Sequence, residues 1–116
     1  MDHYQLLETI EFSEGTEHGH AVALHPSASS RTLLFALHEG QTIKRHCVHS
    51  PMHIIVLRGL GEFTVDGQTA VPAGESSLLV LDLGETIQVR ANGSDLVFLA
   101  VLRGTHEQLE TTNEHV

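Results

Sequence analysis

Apolar residues along the chain fall into short blocks separated by turn signals, not into helical stripes. Residues 31–38 are apolar at almost every position, and residues 52–57 are rich in β-branched side chains. Gly59-Leu60-Gly61 reads as a turn, after which Glu62-Phe63-Thr64-Val65 alternates. Asp66-Gly67 is a two-residue hairpin signal, because glycine tolerates the positive φ that a type I′ turn needs. Pro72-Ala73-Gly74 reads as a further turn. Strands are then expected over 77–83, 85–90 and 95–102, broken at Gly84 and at Asn92-Gly93. Turn signals recur roughly every 8–12 residues, the spacing of an antiparallel sandwich or barrel of six to ten strands. No long segment keeps an apolar period near 3.6, so helices are expected to be minor.

Two strands carry apolar residues at both alternating phases: Ile54-Ile55-Val56-Leu57 and Leu96-Val97-Phe98-Leu99-Ala100-Val101-Leu102. Successive side chains on a strand point to opposite faces, so the outer face of these strands needs a cover. The candidates are the N-terminal segment, residues 1–20, which holds Tyr4, Leu6, Leu7, Ile10 and Phe12, and a second copy of the chain. A homodimer is the expectation. The segment either packs on the barrel or adds an edge strand. The barrel is expected over 21–103, and 104–116 is a polar tail.

Composition narrows the class. With 116 residues the chain makes one domain with one modest core. Six Lys and Arg stand against 15 Asp and Glu, a formal charge of −9, which argues against nucleic-acid phosphates or an anionic membrane surface as partner. A single Cys excludes an intrachain disulfide framework and leaves no thiolate cluster for zinc. Asp2, Glu8, Glu11 and Glu14, with no Lys or Arg among the first fifteen residues, are unlike a secretory signal. The apolar run 96–102 is too short to span a bilayer. A cytoplasmic protein is therefore expected. Ten His, with no Trp and one Tyr, are the unusual feature.

The run 40–61 resembles the first motif of the cupin family, Gly-x5-His-x-His-x3,4-Glu-x6-Gly: Gly40, five residues, then His46, with Gly59 closing the motif. The stretch 56–67 is similar to the strand, turn and hairpin that follow in many single-domain cupins, and Pro72-Ala73-Gly74-Glu75 and Gly84 faintly echo the second motif, Gly-x5-Pro-x-Gly-x2-His-x3-Asn. The resemblance spans residues 33–102 and implies an all-β, RmlC-like antiparallel jelly-roll barrel. In cupins two His and a Glu of the first motif and a His of the second usually bind one divalent metal inside the barrel. Here those places fall on His46, Val48, Met52 and Ile87. One donor of four remains, and a Met thioether is at best a weak ligand for such a cation.

The expected interior is therefore apolar, with His46, Val48, Met52, Ile54, Val56, Ile87 and Val89 as the candidate lining of a small-molecule site, and Phe35 and Phe98 as further inward residues. No metal cofactor is expected. The alternative is a metal site rebuilt from His46, His49 and His53, holding Ni, Zn, Fe or Mn in an enzyme of dioxygenase or isomerase type. In the family register His53 faces outward; a one-residue shift would turn it inward. A third possibility is a filled, purely structural barrel. His18 and His20 share a face of any strand there and form a remoter complement to His46. His25 and His38 read as structural residues at strand ends. Cys47 adjoins His46 but points to the other face, which disfavours a Cys–His nucleophile. Lys44, Arg45, Arg58 and Arg103 read as solvated charges, with Arg58 and Arg103 alternatively rim cations or dimer-interface partners and Lys44 and Arg45 contacts for an acidic ligand at the mouth, and Asp82 and Glu85 read as carboxylates that could pair with Arg90, with no acid–base geometry legible.

Overall fold

In a computed structural model, residues 1–25 and 30–103 are described. One short helix, α1 (Leu6–Thr9), precedes nine strands: β1 (His20–Leu24), β2 (Ser30–Leu37), β3 (Thr42–Cys47), β4 (Met52–Arg58), β5 (Gly61–Val65), β6 (Val71–Ala73), β7 (Leu78–Leu81), β8 (Thr86–Ala91) and β9 (Leu96–Arg103). They form two antiparallel sheets, β1-β2-β9-β4-β7 and β3-β8-β5-β6. Among the described residues no helix is long and apolar enough to cross a membrane. The expected tail, 104–116, lies outside the described residues.

The inner faces follow directly from strand alternation. On β8, Ile87, Val89 and Ala91 are buried while Gln88 and Arg90 are exposed. On β4, Met52, Ile54 and Val56 are buried and His53 is exposed. These side chains join Leu33, Phe35 and Leu37 of β2 and Phe98, Ala100 and Leu102 of β9 in one inner cluster. Phe98 anchors it, stacked on Phe35 at a ring-centroid distance of 4.7 Å and edge-on to Phe63 at 5.7 Å.

Part of the outer face of the double-phase strands finds its cover within the chain. Leu34, Ala36 and Val97 face out, and Leu6, Ile10 and Phe12 of the N-terminal segment pack against them with Leu24, Val22, Leu57 and Leu99. Each apolar side chain fully removed from water contributes about 1.5–3 kcal/mol, so this outer cluster is a substantial fastening. The segment also touches a sheet edge, through an isolated bridge between His18 and Thr42 of β3.

Turns fall where the residue types require them. Asp66 and Gly67 both adopt positive φ, 53° and 69°, as a type I′ hairpin demands. Gly59 has φ +83°, and a Cβ there would run into the carbonyl oxygen of Asp95. The expected turn at Pro72-Ala73-Gly74 is displaced. Val71-Pro72-Ala73 is an edge strand paired with β5, and the turn follows at Gly74–Ser77, closed by Ser77 N–H to Gly74 O. Pro72 is tolerated because β6 ends its sheet and its missing N–H faces no partner strand.

Candidate functional site

A small cavity of about 30 Å³ lies between the sheets, lined by Leu33, Phe35, Ile43, His46, Met52, Ile54, Ile87, Val89, Phe98, Ala100 and Leu102. His46 is the one polar side chain in that lining and is 4 % exposed. Of the residues the sequence nominates, His46, Met52, Ile54, Ile87 and Val89 meet here. Val48 and Val56 are buried in the same core but do not line the cavity.

Register places the imidazole. His46 pairs with Ile87, and Ile43 with Val89, so β3 takes three steps while β8 takes two. The extra residue is a bulge at Lys44-Arg45, both exposed. On a regular strand residues 43 and 46 would face opposite sides; the bulge brings both Ile43 and His46 inward. Ile43 was not foreseen, because no residue type marks this bulge. Leu33, Ala100 and Leu102 were also missed, although they continue the period-2 pattern of Phe35 and Phe98.

The places that would hold a cupin-type ion are also fixed. Val48, Met52 and Ile87 are buried, 0 %, 5 % and 4 % exposed, and none of them offers a nitrogen or oxygen ligand. A divalent site needs three or four donors at roughly 2 Å from one point. Among the described residues no group of three or more His, Cys, Asp or Glu converges in this way. The donor set does not fit the ion.

The alternative set His46, His49 and His53 is not assembled. The His49 ring is 6.4 Å from that of His46, edge to face, but His53 is exposed, with Val80 and Val101 as its strand neighbours. The β4 register holds Met52 and Ile54 inward and so turns His53 out. Nor do His18 and His20 complete a site: His18 is exposed and His20 lies 3.8 Å from Glu11. Cys47 is half-buried beside His46 in sequence, on the opposite face of β3. Glu85 accepts a hydrogen bond from the Asp82 N–H at 2.7 Å and closes its own turn.

A second polar constellation lies outside the barrel. His38 Nε2 is 2.8 Å from Glu14 Oε2, and Nδ1 is 3.3 Å from Asp95 Oδ1. Hydrogen bonding to Glu14, then to Asp95, raises the His38 pKa above its ordinary value.

Solved structures similar to this one share the architecture. An RmlC-like cupin protein from Desulfovibrio desulfuricans is 27 % identical with a TM-score of 0.76, covering 88 % of this chain and 96 % of that one. A conserved protein with a double-stranded β-helix domain from Klebsiella pneumoniae superposes with a TM-score of 0.80 at 15 % identity, covering 89 % and 84 %. An RmlC-like cupin from Methanocaldococcus jannaschii gives 0.72 at 18 % identity, covering 86 % and 93 %. No family model matches the chain. No curated protein matches it by sequence.

Proposed function

This chain is a cupin by fold, and we propose that its barrel binds a small molecule without metal-dependent catalysis. The observation that carries this reading is the cavity between the sheets, whose walls are apolar and whose lining holds one imidazole, His46. Such walls supply affinity by desolvation, and a single polar group fixes orientation. His46 has that role, with Met52, Ile54, Ile87 and Val89 as walls. The space, about 30 Å³, exceeds the roughly 10–15 Å³ that one water requires and is far below the roughly 300 Å³ of a drug-sized pocket. The occupant is a compound of a few heavy atoms, or one that enters as the flexible Met52 swings aside.

Xenon tests the cavity directly. Dissolved xenon is expected to shift the methyl resonances of Met52, Ile54 and Ile87, and the shifts should vanish in Ala100→Val, which fills the space. Shifts confined to exposed methyls, or none, would overturn the reading. So would near-stoichiometric Ni, Zn, Fe or Mn in untagged protein that is lost in His46→Ala.

The chain is also proposed to act as a homodimer. Leu78 and Val80 of β7 are each 59 % exposed, Leu83 is 66 % exposed, and β7 ends its sheet with no charged side chain. A second copy fits that edge best. The chain carries −9 overall, and an uncharged edge lets two like-charged copies meet. Light scattering should give twice the chain mass, and Val80→Lys should return it to the monomer; a wild-type monomer would refute the dimer.

A further inference from the structure

We propose that residues 11–19 form a proton-controlled clasp, in which the His38 imidazolium bridges Glu14 of the segment and Asp95 of the β8–β9 turn, and that loss of its proton loosens the segment from the edge of β3. The inference is independent of what the barrel binds.

The geometry suits a cation. Both ring nitrogens of His38 face carboxylate oxygens, at 2.8 and 3.3 Å. Imidazolium donates from both nitrogens, whereas neutral imidazole has a single N–H. In either neutral tautomer one carboxylate therefore faces a ring lone pair, and the bridge loses one side. Among the described residues the charged groups facing the ring are Glu14 and Asp95; Phe12, stacked on it at 4.2 Å, is apolar, and Glu39 turns its backbone N–H to the same Asp95 oxygen. Because the His38 pKa is raised, the bridge is complete below its ordinary value of about 6.5 and is lost as pH climbs through the raised value.

The fastenings beside this bridge run to the barrel. Gln41 accepts the His38 N–H at 2.8 Å and donates to the carbonyls of Ser13 and Thr16 at 2.8 and 3.0 Å. Thr42 then pairs on both sides, its N–H to Glu17 O at 2.9 Å and its carbonyl to Gly19 N–H at 3.0 Å. Gly19 itself lies against Leu37 and Ile43, and Ile43 is a wall of the cavity. Gln41 thus fastens the segment to the His38 main chain beside the bridge, and the ring bridge is the part of this fastening that depends on the proton. Two further histidine–carboxylate contacts, His20–Glu11 at 3.8 Å and His25–Asp2 at 2.9 Å, join the same segment to β1 and its end. Among the described residues each of these rings meets one carboxylate, whereas His38 meets two, so His38 is the group that bridges.

Amide hydrogen exchange of the full chain across a pH series upward from pH 6, corrected for intrinsic rates, tests the clasp. In the wild type the Gly19 and Thr42 amides are expected to lose protection severalfold as pH rises through the raised His38 value, while Leu37 and Val97 hold theirs. His38→Gln should remove that pH dependence, and Asp95→Asn, which leaves a neutral acceptor, should reduce it. Protection that does not change with pH in the wild type would overturn the clasp. A His38→Gln variant that kept the wild-type dependence would overturn it too. So would a parallel loss of protection at Leu37 and Val97, which would mean global destabilisation.

Discussion

β2 and β9 serve two apolar clusters at once, and the two are closed by different means. Their inward residues, Leu33, Phe35, Leu37, Phe98, Ala100 and Leu102, belong to a cluster of seventeen buried residues sealed by the opposite sheet. Their outward residues, Leu34, Ala36 and Val97, belong to a cluster with four buried members, sealed by the N-terminal segment. Each cluster has its histidine. His46 sits inside the first among uncharged walls, and His38 sits at the rim of the second between two carboxylates. Backbone ladders and apolar packing do not depend on protonation, whereas the bridge from His38 to Glu14 does. Among the described residues the inner cluster has no such bridge, and the outer one has it at its rim.

The largest expected difference is in stability. Phe98→Ala removes the ring shared by Phe35 and Phe63 and should destabilise by about 3–5 kcal/mol, read from urea unfolding. Phe12→Ala in the outer cluster removes a half-buried ring and should lose about 1 kcal/mol. If the two variants lost equal stability, the N-terminal segment would be as integral to the fold as the barrel interior, and the contrast would fail.

That contrast was only half legible in the sequence. Turn chemistry at Asp66-Gly67 and β-branched runs such as 52–57 fix most of the strands, because both are local properties of the backbone. The double-phase apolar run 96–102 shows that an outer cover is needed, and two candidates remained open. Choosing between them takes tertiary packing, since Leu6, Ile10 and Phe12 keep no period that identifies the surface they meet. The same limit hid β6, where Pro72 reads as a turn until its place at a sheet edge is known. It hid Ile43 as well, because a bulge resets facing without leaving a mark in composition. His46, Met52 and Ile87 were legible because the motif spacing fixes their register.

A smaller effect sharpens the inner side of the comparison. His46→Leu keeps the approximate volume and places an apolar group among apolar walls. Stability should stay within about 1 kcal/mol of the wild type, while polar probes of a few heavy atoms lose their cavity-dependent shifts at Met52 and Ile87. A loss of several kcal/mol instead would make the imidazole a structural member of the core, and the filled-barrel reading would then stand.

The smallest effect belongs to the outer side, and its sign is fixed. Hydrogen bonds to Glu14 and Asp95 raise the His38 pKa in the folded chain. A raised value stabilises the folded state fully below the unfolded value of about 6.5, and the contribution fades as pH rises through the folded value. The wild type minus His38→Gln difference in unfolding midpoint should therefore be greatest below about pH 6.5 and decline as pH rises through the raised folded value. Added salt should shrink it further, because Glu14 and Asp95 are largely exposed, with side chains 78 % and 48 % accessible. A difference that grew with pH would mean that neutral His38 is the form the fold prefers. The two carboxylates would then be neighbours of the ring without being its partners.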